Sequence, residues 1–433
     1  MAVVRPFRGI RYDPKSIPSL GDAVCPPFDT IPPDLQETLY ERSPYNIIRL
    51  EAGARLPGDT PEDNRYTRAS AMLSQWMSQE ILRRDPVSAL YLVEHAFVLE
   101  GREYLRLELM SAVRLEEYEH RVVLPHEFTR DADKEDRLAL IRACSANLSP
   151  IMSLYADPSN EVRSVLDRIM SAEPDVAFQD PGQQGYRMWK VEEGDVTEGI
   201  SLLLSSKEIY IADGHHRYET ALNYRALRRE ETGGALPDDA ACNYVMMGLV
   251  AFDDPGLRVL PYHRVLKGMK PSALAQVRYE LWKYFNPVPE AQEACTDLKA
   301  MLAKVEELGR SGPVLGMMDP GGRGTQVLKL KPGVDLEDGG VMADSEPWIL
   351  EEQILRPILA EESRSCIDYV HDAKEAAAGL ESGELQMAFL LKPFPLDLFK
   401  EIIDADQKLP PKSTFFYPKL PTGLVMNPLD GSI

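Results

Sequence analysis

The stretch IYIADGHHRYETAL, Ile209 to Leu222, sets Asp213, Gly214, His215, His216 and Arg217 in one unbroken run. Two of the chain's seven histidines stand side by side there. Gly214 lets a ligand approach the backbone closely, because it has no side chain and tolerates positive φ. Arg217 brings a planar fork suited to phosphate oxygens. His215 and His216 can donate hydrogen bonds, and Asp213 can orient an imidazole or hold Mg²⁺ through water. The plainer alternative is a polar turn between a strand and a helix, with Asp213 as the cap. Zinc is poorly served: adjacent histidines point apart, and one-turn spacing suits a shared ion better. Mg²⁺ arriving with a nucleotide fits better, while a metal ligand set stays unassigned.

A second concentration is LPHEFTRDADKEDRLALIRACSANLSP, from Leu124. His126 and Glu127 precede an expected helix, and either can serve as a general base. Lys134 and Arg137, three apart, share a helix face that can meet phosphate; on spacing alone a solvated face is the better reading. Asn147 and Ser149 offer neutral hydrogen bonds to a polar substrate. In PPFDT, Asp29 sits in a proline-stiffened loop, as a rigid carboxylate or a turn residue. PPKSTFFYPK groups Lys412, Ser413, Thr414 and Lys419. No Walker glycine pattern precedes Lys412, so this is no P-loop, but it can lend cations to a phosphate site or lie in solvent. His263 and Arg264, in LPYHRVL, read as structural or interface residues.

The elements that must position these residues follow from periodicity. Glu208 to Ala212 reads as a short buried strand and Tyr218 to Glu230 as a helix, which leaves Asp213 to Arg217 between strand end and helix start. A helix N-terminus has unpaired amides and a partial positive charge, and so suits a phosphate. Further helices are expected at Asp34 to Tyr40, Pro61 to Leu82, Ala132 to Ser145 and Asn160 to Ser171. NIIRLE, from Asn46, reads as a strand, as do Pro150 to Tyr155 and Tyr186 to Val191. SALYLVEHAFVLEGREYLRLELMSAVRLEEY reads as a hairpin turning at Glu100-Gly101-Arg102. Beyond GGALPDDAA, five apolar strand-like runs alternate with helices at Ala273 to Tyr284, Glu293 to Leu308 and Pro347 to Ser363. The expected organisation is residues 1–232, carrying the turn, and 233–433, a second α/β unit with an ordered tail. The fold class is mixed α/β.

At 433 residues the chain exceeds a single typical core. Hydrophobic residues make up 44% and charged residues 27%, as in ordinary globular proteins. The net charge of -21 opposes non-specific affinity for nucleic acid or anionic membrane, so any anionic substrate needs a local cluster of donors. Five scattered cysteines form no CxxC pair, which argues against a zinc ribbon or a disulfide framework. No secretory signal and no membrane-length apolar run are apparent, and a cytoplasmic location is expected. The oligomeric state is open, and a homo-oligomer is compatible with the sequence.

ADGHHRYETAL, PHEFT, LPYHRVL and PPKSTFFYPKLPTGLV, in this order, resemble a widespread bacterial family of uncharacterised proteins over almost the whole chain. The DGHHR element also resembles a strand–turn–helix motif of the ParB/sulfiredoxin superfamily, nearest the free-serine kinases. That resemblance implies a ParB/sulfiredoxin-like nucleotide-binding core in which Asp213 to Arg217 hold nucleotide phosphates. It also implies ATP or ADP as donor with Mg²⁺, and a small hydroxyl acceptor, free L-serine above others. Those kinases carry a catalytic glutamate well upstream of the turn, and this sequence shows no clear match to it. Glu127 and Asp29 are the candidates, Glu127 favoured for its place beside His126 and Lys134. A phosphatase acting on phosphoserine and a non-catalytic CTP or ATP switch remain alternatives. ParB's DNA-binding helix-turn-helix has no basic counterpart here, so no nucleic-acid partner is expected.

Overall fold

The computed structural model describes residues 1–294, 297–322, 324–359 and 365–433. Two units emerge, Met1–Leu257 with Pro418–Ile433, and Arg258–Tyr417. The first contains strands β1 (Val4–Arg5), β2 (Ile10–Tyr12), β3 (Leu82–Arg84), β4 (Ala89–Leu99), β5 (Arg102–Arg114), β6 (Val123–Leu124), β7 (Ala146–Asn147), β8 (Ile151–Tyr155), β9 (Val176–Gln179), β10 (Gly185–Glu192), β11 (Ile209–Asp213) and β12 (Tyr244–Ala251). Its helices are α1 (Pro33–Arg42), α2 (Ile48–Glu51), α3 (Arg65–Ser78), α4 (Asp131–Cys144), α5 (Glu161–Met170), α6 (Asp195–Ser205) and α7 (His215–Glu231).

Nine strands form one mixed sheet in the order β6-β11-β8-β12-β5-β4-β10-β9, with β1 on β5. The β4–β5 hairpin turns where Glu100 and Gly101 both hold positive φ, as a two-residue turn matched to strand twist requires. Leu90, Leu92, Leu107, Leu109, Ile209 and Ile211 alternate onto one sheet face and pack with Ile200 and Leu204 of α6 and Tyr218 and Ala221 of α7. β6 runs parallel to β11 and β8 antiparallel to it. The end of β6, the end of β11 and the start of β8 therefore meet at one edge of the sheet. The β11–β8 register shifts between Ile211 and Asp213, a bulge that re-aims the strand end.

The second unit is built on a six-stranded sheet, every neighbouring pair antiparallel. Its order is Phe285–Pro287, Gly324–Leu330, Val314–Asp319, Met387–Leu390, His263–Leu266, Ile367–Val370. A two-stranded ribbon, Arg258–Leu260 with Phe415–Tyr417, stands at the ends of the unit. The class is mixed α/β, as expected.

Several local expectations need correction. NIIRLE is not a strand: Ile48–Glu51 is the short helix α2, because the Asn46 side chain accepts from the Ile48 amide and starts a turn. Ile47, Ile48, Leu50 and Glu51 are all buried, so no alternation distinguished the two. α7 begins at His215, not Tyr218, which puts both histidines in its first turn. Pro347 to Ser363 is interrupted: a short α turn, Glu346–Trp348, passes into a π-helix, Ile349–Leu355, and residues 360–363 lie outside the described residues. The helix expected from Glu293 is continuous only over Leu298–Gly309, and Cys295 lies outside the described residues. The division after Leu257 differs from the expected boundary at 232/233 because β12, past Gly233, is an inner strand of the first sheet. The tail also returns to that unit, pairing Asn427–Pro428 with β7. Among the described residues, no helix is long and apolar enough to cross a membrane.

Candidate functional site

Ile209 to Ala212 is a run of apolar residues buried in the sheet, and Gly214 ends it at φ +100° as the N-cap of α7. A side chain there would strike the Arg217 guanidinium, with Nε only 2.9 Å from an added Cβ. Glycine is thus required twice, by φ and by close approach. Arg217 folds back under the turn: its Nη2 donates to Asp213 Oδ2 at 2.6 Å, and its Nη1 to the Pro150 carbonyl at the start of β8. The second Asp213 oxygen accepts from Lys419 Nζ. Burial alone would raise the Asp213 pKa, but Lys419 and Arg217 hold it down at about 2.

The parallel β6 delivers the loop Pro125 to Arg130 onto the first turn of α7. The His126 amide donates to His215 Nε2 at 3.1 Å, and the Arg130 amide to His216 Nε2 at 2.9 Å. Backbone amides only donate, so both Nε2 atoms are bare and the ring protons sit on Nδ1. His215 Nδ1 lies 3.3 Å from Glu127 Oε1, yet outside hydrogen-bond geometry. His126 donates through Nδ1 to the Ile211 carbonyl at 2.7 Å and stands edge-on to His215, centroids 4.5 Å apart. Burial, reinforced by His215, pushes the His126 pKa down to about 3. Burial also lowers that of His216. His216 is partly exposed and leaves its Nδ1 hydrogen for an acceptor, whereas His215 Nδ1 is buried beside Glu127.

Behind the turn lies a small cavity of about 30 Å³, enough to admit water. Glu51, Arg137, Asn147, Ser149 and Arg217 supply its polar lining. Ser149 Oγ donates to Glu51 Oε1 at 2.9 Å, and Arg137 Nη1 lies 3.4 Å from the same oxygen. The Arg137 guanidinium also grips Asp136 and stacks 3.9 Å above the Phe28 ring. Arg217 lines this cavity as well as bonding Asp213, so one guanidinium borders both the DGHHR turn and the space beside Glu51. Its Nε is a buried donor with no hydrogen-bond partner.

The expected residues divide accordingly. Asp213, Gly214, His215, His216, Arg217, His126 and Glu127 come together at the α7 N-terminus. Arg137, Asn147 and Ser149 come together at the cavity, although the Asn147 oxygen is engaged by the Met246 amide and the Asn427 side chain. Lys134 pairs with Glu219 at 3.1 Å and Asp131 at 3.0 Å, which marks it as a brace between α4 and α7. Asp29 is exposed on a 3₁₀ turn and acts on Arg137 electrostatically. Lys412 belongs to the second unit, with its ammonium 5.5 Å from the Tyr262 ring centroid. The cation that PPKSTFFYPK lends to the turn is Lys419. Sequence reasoning passed over Glu51; its only signal is a carboxylate closing the short, mostly apolar run IIRLE. Among the described residues, no cluster of three or more His, Cys, Asp or Glu side chains is arranged to hold a metal.

These features define a mixed α/β protein with a strand–glycine–helix turn backed by a buried carboxylate. The chain belongs to the family described as a protein of unknown function, DUF1015, whose model matches residues 4–352. No curated protein matches the sequence. Among solved structures it is similar to a free serine kinase variant in complex with AMP, at 12% identity and TM-score 0.36, covering 68% of this chain and 84% of that one. It is also similar to C-terminally truncated SbnI from Staphylococcus aureus, at 11% identity and TM-score 0.36 over 74% and 87% of the two chains. A conserved hypothetical protein from Pyrococcus furiosus stands at 14% identity and TM-score 0.33 over 71% and 92%. Likenesses this loose transfer neither residue roles nor chemistry.

Proposed function

We propose that this protein transfers a phosphoryl group from ATP or ADP to the hydroxyl of a small metabolite, with free L-serine the favoured acceptor. The observation that carries the reading is Arg217, which joins the α7 N-terminus to the cavity holding Glu51. The amides of the first turn and the Nδ1 hydrogen of His216 meet the donor's phosphates. Asp213, fixed by Lys419, keeps Arg217 in place as a positioning residue. Glu51 is the base in place of Glu127 and Asp29: it accepts the hydroxyl proton as that oxygen bonds to the terminal phosphorus. The bond from phosphorus to the bridging oxygen breaks, and ADP or AMP leaves with the electron pair.

The side chains fit Mg²⁺ only as an ion that comes with the nucleotide, keeps most of its waters and takes one protein carboxylate, Glu127. It would screen phosphate charge. The DGHHR resemblance to the ParB/sulfiredoxin superfamily points the same way. A second reading rests on the same cavity, which has room for water beside Glu51. Glu51 would then activate that water, and the reaction would be hydrolysis of phosphoserine or a related ester. The test is ³¹P NMR of the purified chain with Mg²⁺, serine and ATP or ADP, and separately with phosphoserine alone. Phosphoserine formation supports the transferase, and phosphate release without nucleotide supports the hydrolase. Neither signal from folded protein sinks both.

A further inference from the structure

The loop that reaches the α7 turn carries an exposed aromatic side chain that the phosphate chemistry does not use. Phe128 is 68% exposed, and the loop is tied down on either side of it. The His126 amide is bound to His215, Thr129 Oγ1 donates to Glu219 at 2.5 Å, and the Arg130 amide is bound to His216. The ring is thus held outward by a loop anchored on both sides, with each anchor two residues away, within about 8 Å of chain. Arg130 beside it is 80% exposed at its side chain. A carboxylate, an aromatic ring, a hydroxyl and a guanidinium follow one another in Glu127 to Arg130, at the mouth of a helix N-terminus.

We infer that Phe128 is the platform on which the purine base of the nucleotide stacks. This rests on the nucleotide reading given above. A base stands one ribose away from its α-phosphate, so its platform must lie beside the phosphate cradle and not within it, where Phe128 is. Stacking needs a flat apolar face that is already ordered before binding, and the anchored loop supplies it without paying for loop ordering. The ring face makes no base-specific hydrogen bond, so the platform favours large purines over pyrimidines through contact area and tolerates exchange between adenine and guanine.

The test is calorimetric titration of the full chain with ATP, CTP and inorganic tripolyphosphate, each with Mg²⁺, on wild type, Phe128→Ala and Phe128→Trp. Wild type is expected to bind ATP more tightly than CTP and to bind tripolyphosphate as well. Phe128→Ala should weaken ATP roughly tenfold or more and leave tripolyphosphate within about twofold, while Phe128→Trp retains ATP. If wild type binds both ligands and Phe128→Ala holds ATP as wild type does, the platform is overturned and the phosphate site stands. If folded wild type binds neither ligand, the phosphate site fails and the platform with it.

Discussion

Lys419 and Asp213, 206 positions apart in the chain, form an ion pair at the end of β11. Through it the C-terminal segment sets the turn: the Asp213 carboxylate is shared between Lys419 and Arg217. Removing one partner of a buried pair costs about 3 kcal/mol at the low end, and Arg217 remains to limit the loss. Lys419→Met should therefore destabilise the first unit at pH 7 by that order. The Asp213 pKa lies near 2, below the ordinary carboxylate value, so the pair's contribution is complete above about pH 4 and lost as pH falls towards 2. The gap between Lys419→Met and wild type should accordingly narrow below pH 4 in urea unfolding. A gap constant with pH would refute the pairing.

Gly214→Ala tests the turn itself. At φ +100° an alanine is strained, and its Cβ would meet Arg217 Nε at 2.9 Å and Cζ at 3.0 Å. The expected cost is about 1–3 kcal/mol, together with loss of phosphate binding as the guanidinium is displaced. Thermal unfolding with and without tripolyphosphate reads both effects. An alanine variant of wild-type stability would show that the turn is not built this way.

His126 gives the protein a pH dependence of definite sign. Its pKa is held near 3 in the fold against about 6.5 when unfolded, so below about pH 6.5 the unfolded chain takes up a proton that the native one refuses. Stability is complete above that pH and falls towards 3, by up to about 1.4 kcal/mol per pH unit. His263, held near 4 by burial in the second unit, adds its own slope, so the diagnostic is a difference. His126→Asn should flatten the dependence between pH 6 and 4.5 relative to wild type. Equal slopes would mean that His126 is not the buried neutral group.

Much of this arrangement could be read from the residues themselves. The apolar run Ile209 to Ala212 before a glycine and a helical pattern placed the DGHHR turn correctly, because a buried strand and an amphipathic helix leave different periods. The meeting of His126 and Glu127 with that turn could not be read, since it depends on β6 lying parallel to β11, a pairing of two residues each. Glu51 was illegible for another reason. A four-residue helix with three residues buried is too short to show either period, and a glutamate that ends it resembles an ordinary solvent-facing charge. Lys134 and Arg137 have helical spacing whether they face phosphate, solvent or carboxylates, and only the partners Glu219, Asp131, Asp136 and Glu51 decide the matter.

Glu51→Gln separates binding from chemistry. The amide oxygen still accepts from Ser149 Oγ and the side-chain volume is unchanged, so the cavity keeps its shape. What disappears is the negative charge that takes up a proton. The neighbouring Arg137 retains Asp136 and the Phe28 ring, and so is not left as an isolated buried cation. Turnover should fall by about 10²–10⁴-fold, the usual worth of a general base, while ATP affinity stays within a few-fold. Glu127→Gln should behave differently, weakening Mg²⁺-dependent nucleotide binding with a smaller effect on the rate at saturation. If Glu51→Gln turns over at the wild-type rate while Glu127→Gln is inactive at saturating nucleotide, the base is Glu127. Steady-state rates with serine as acceptor, together with nucleotide titrations on the two variants, distinguish the assignments.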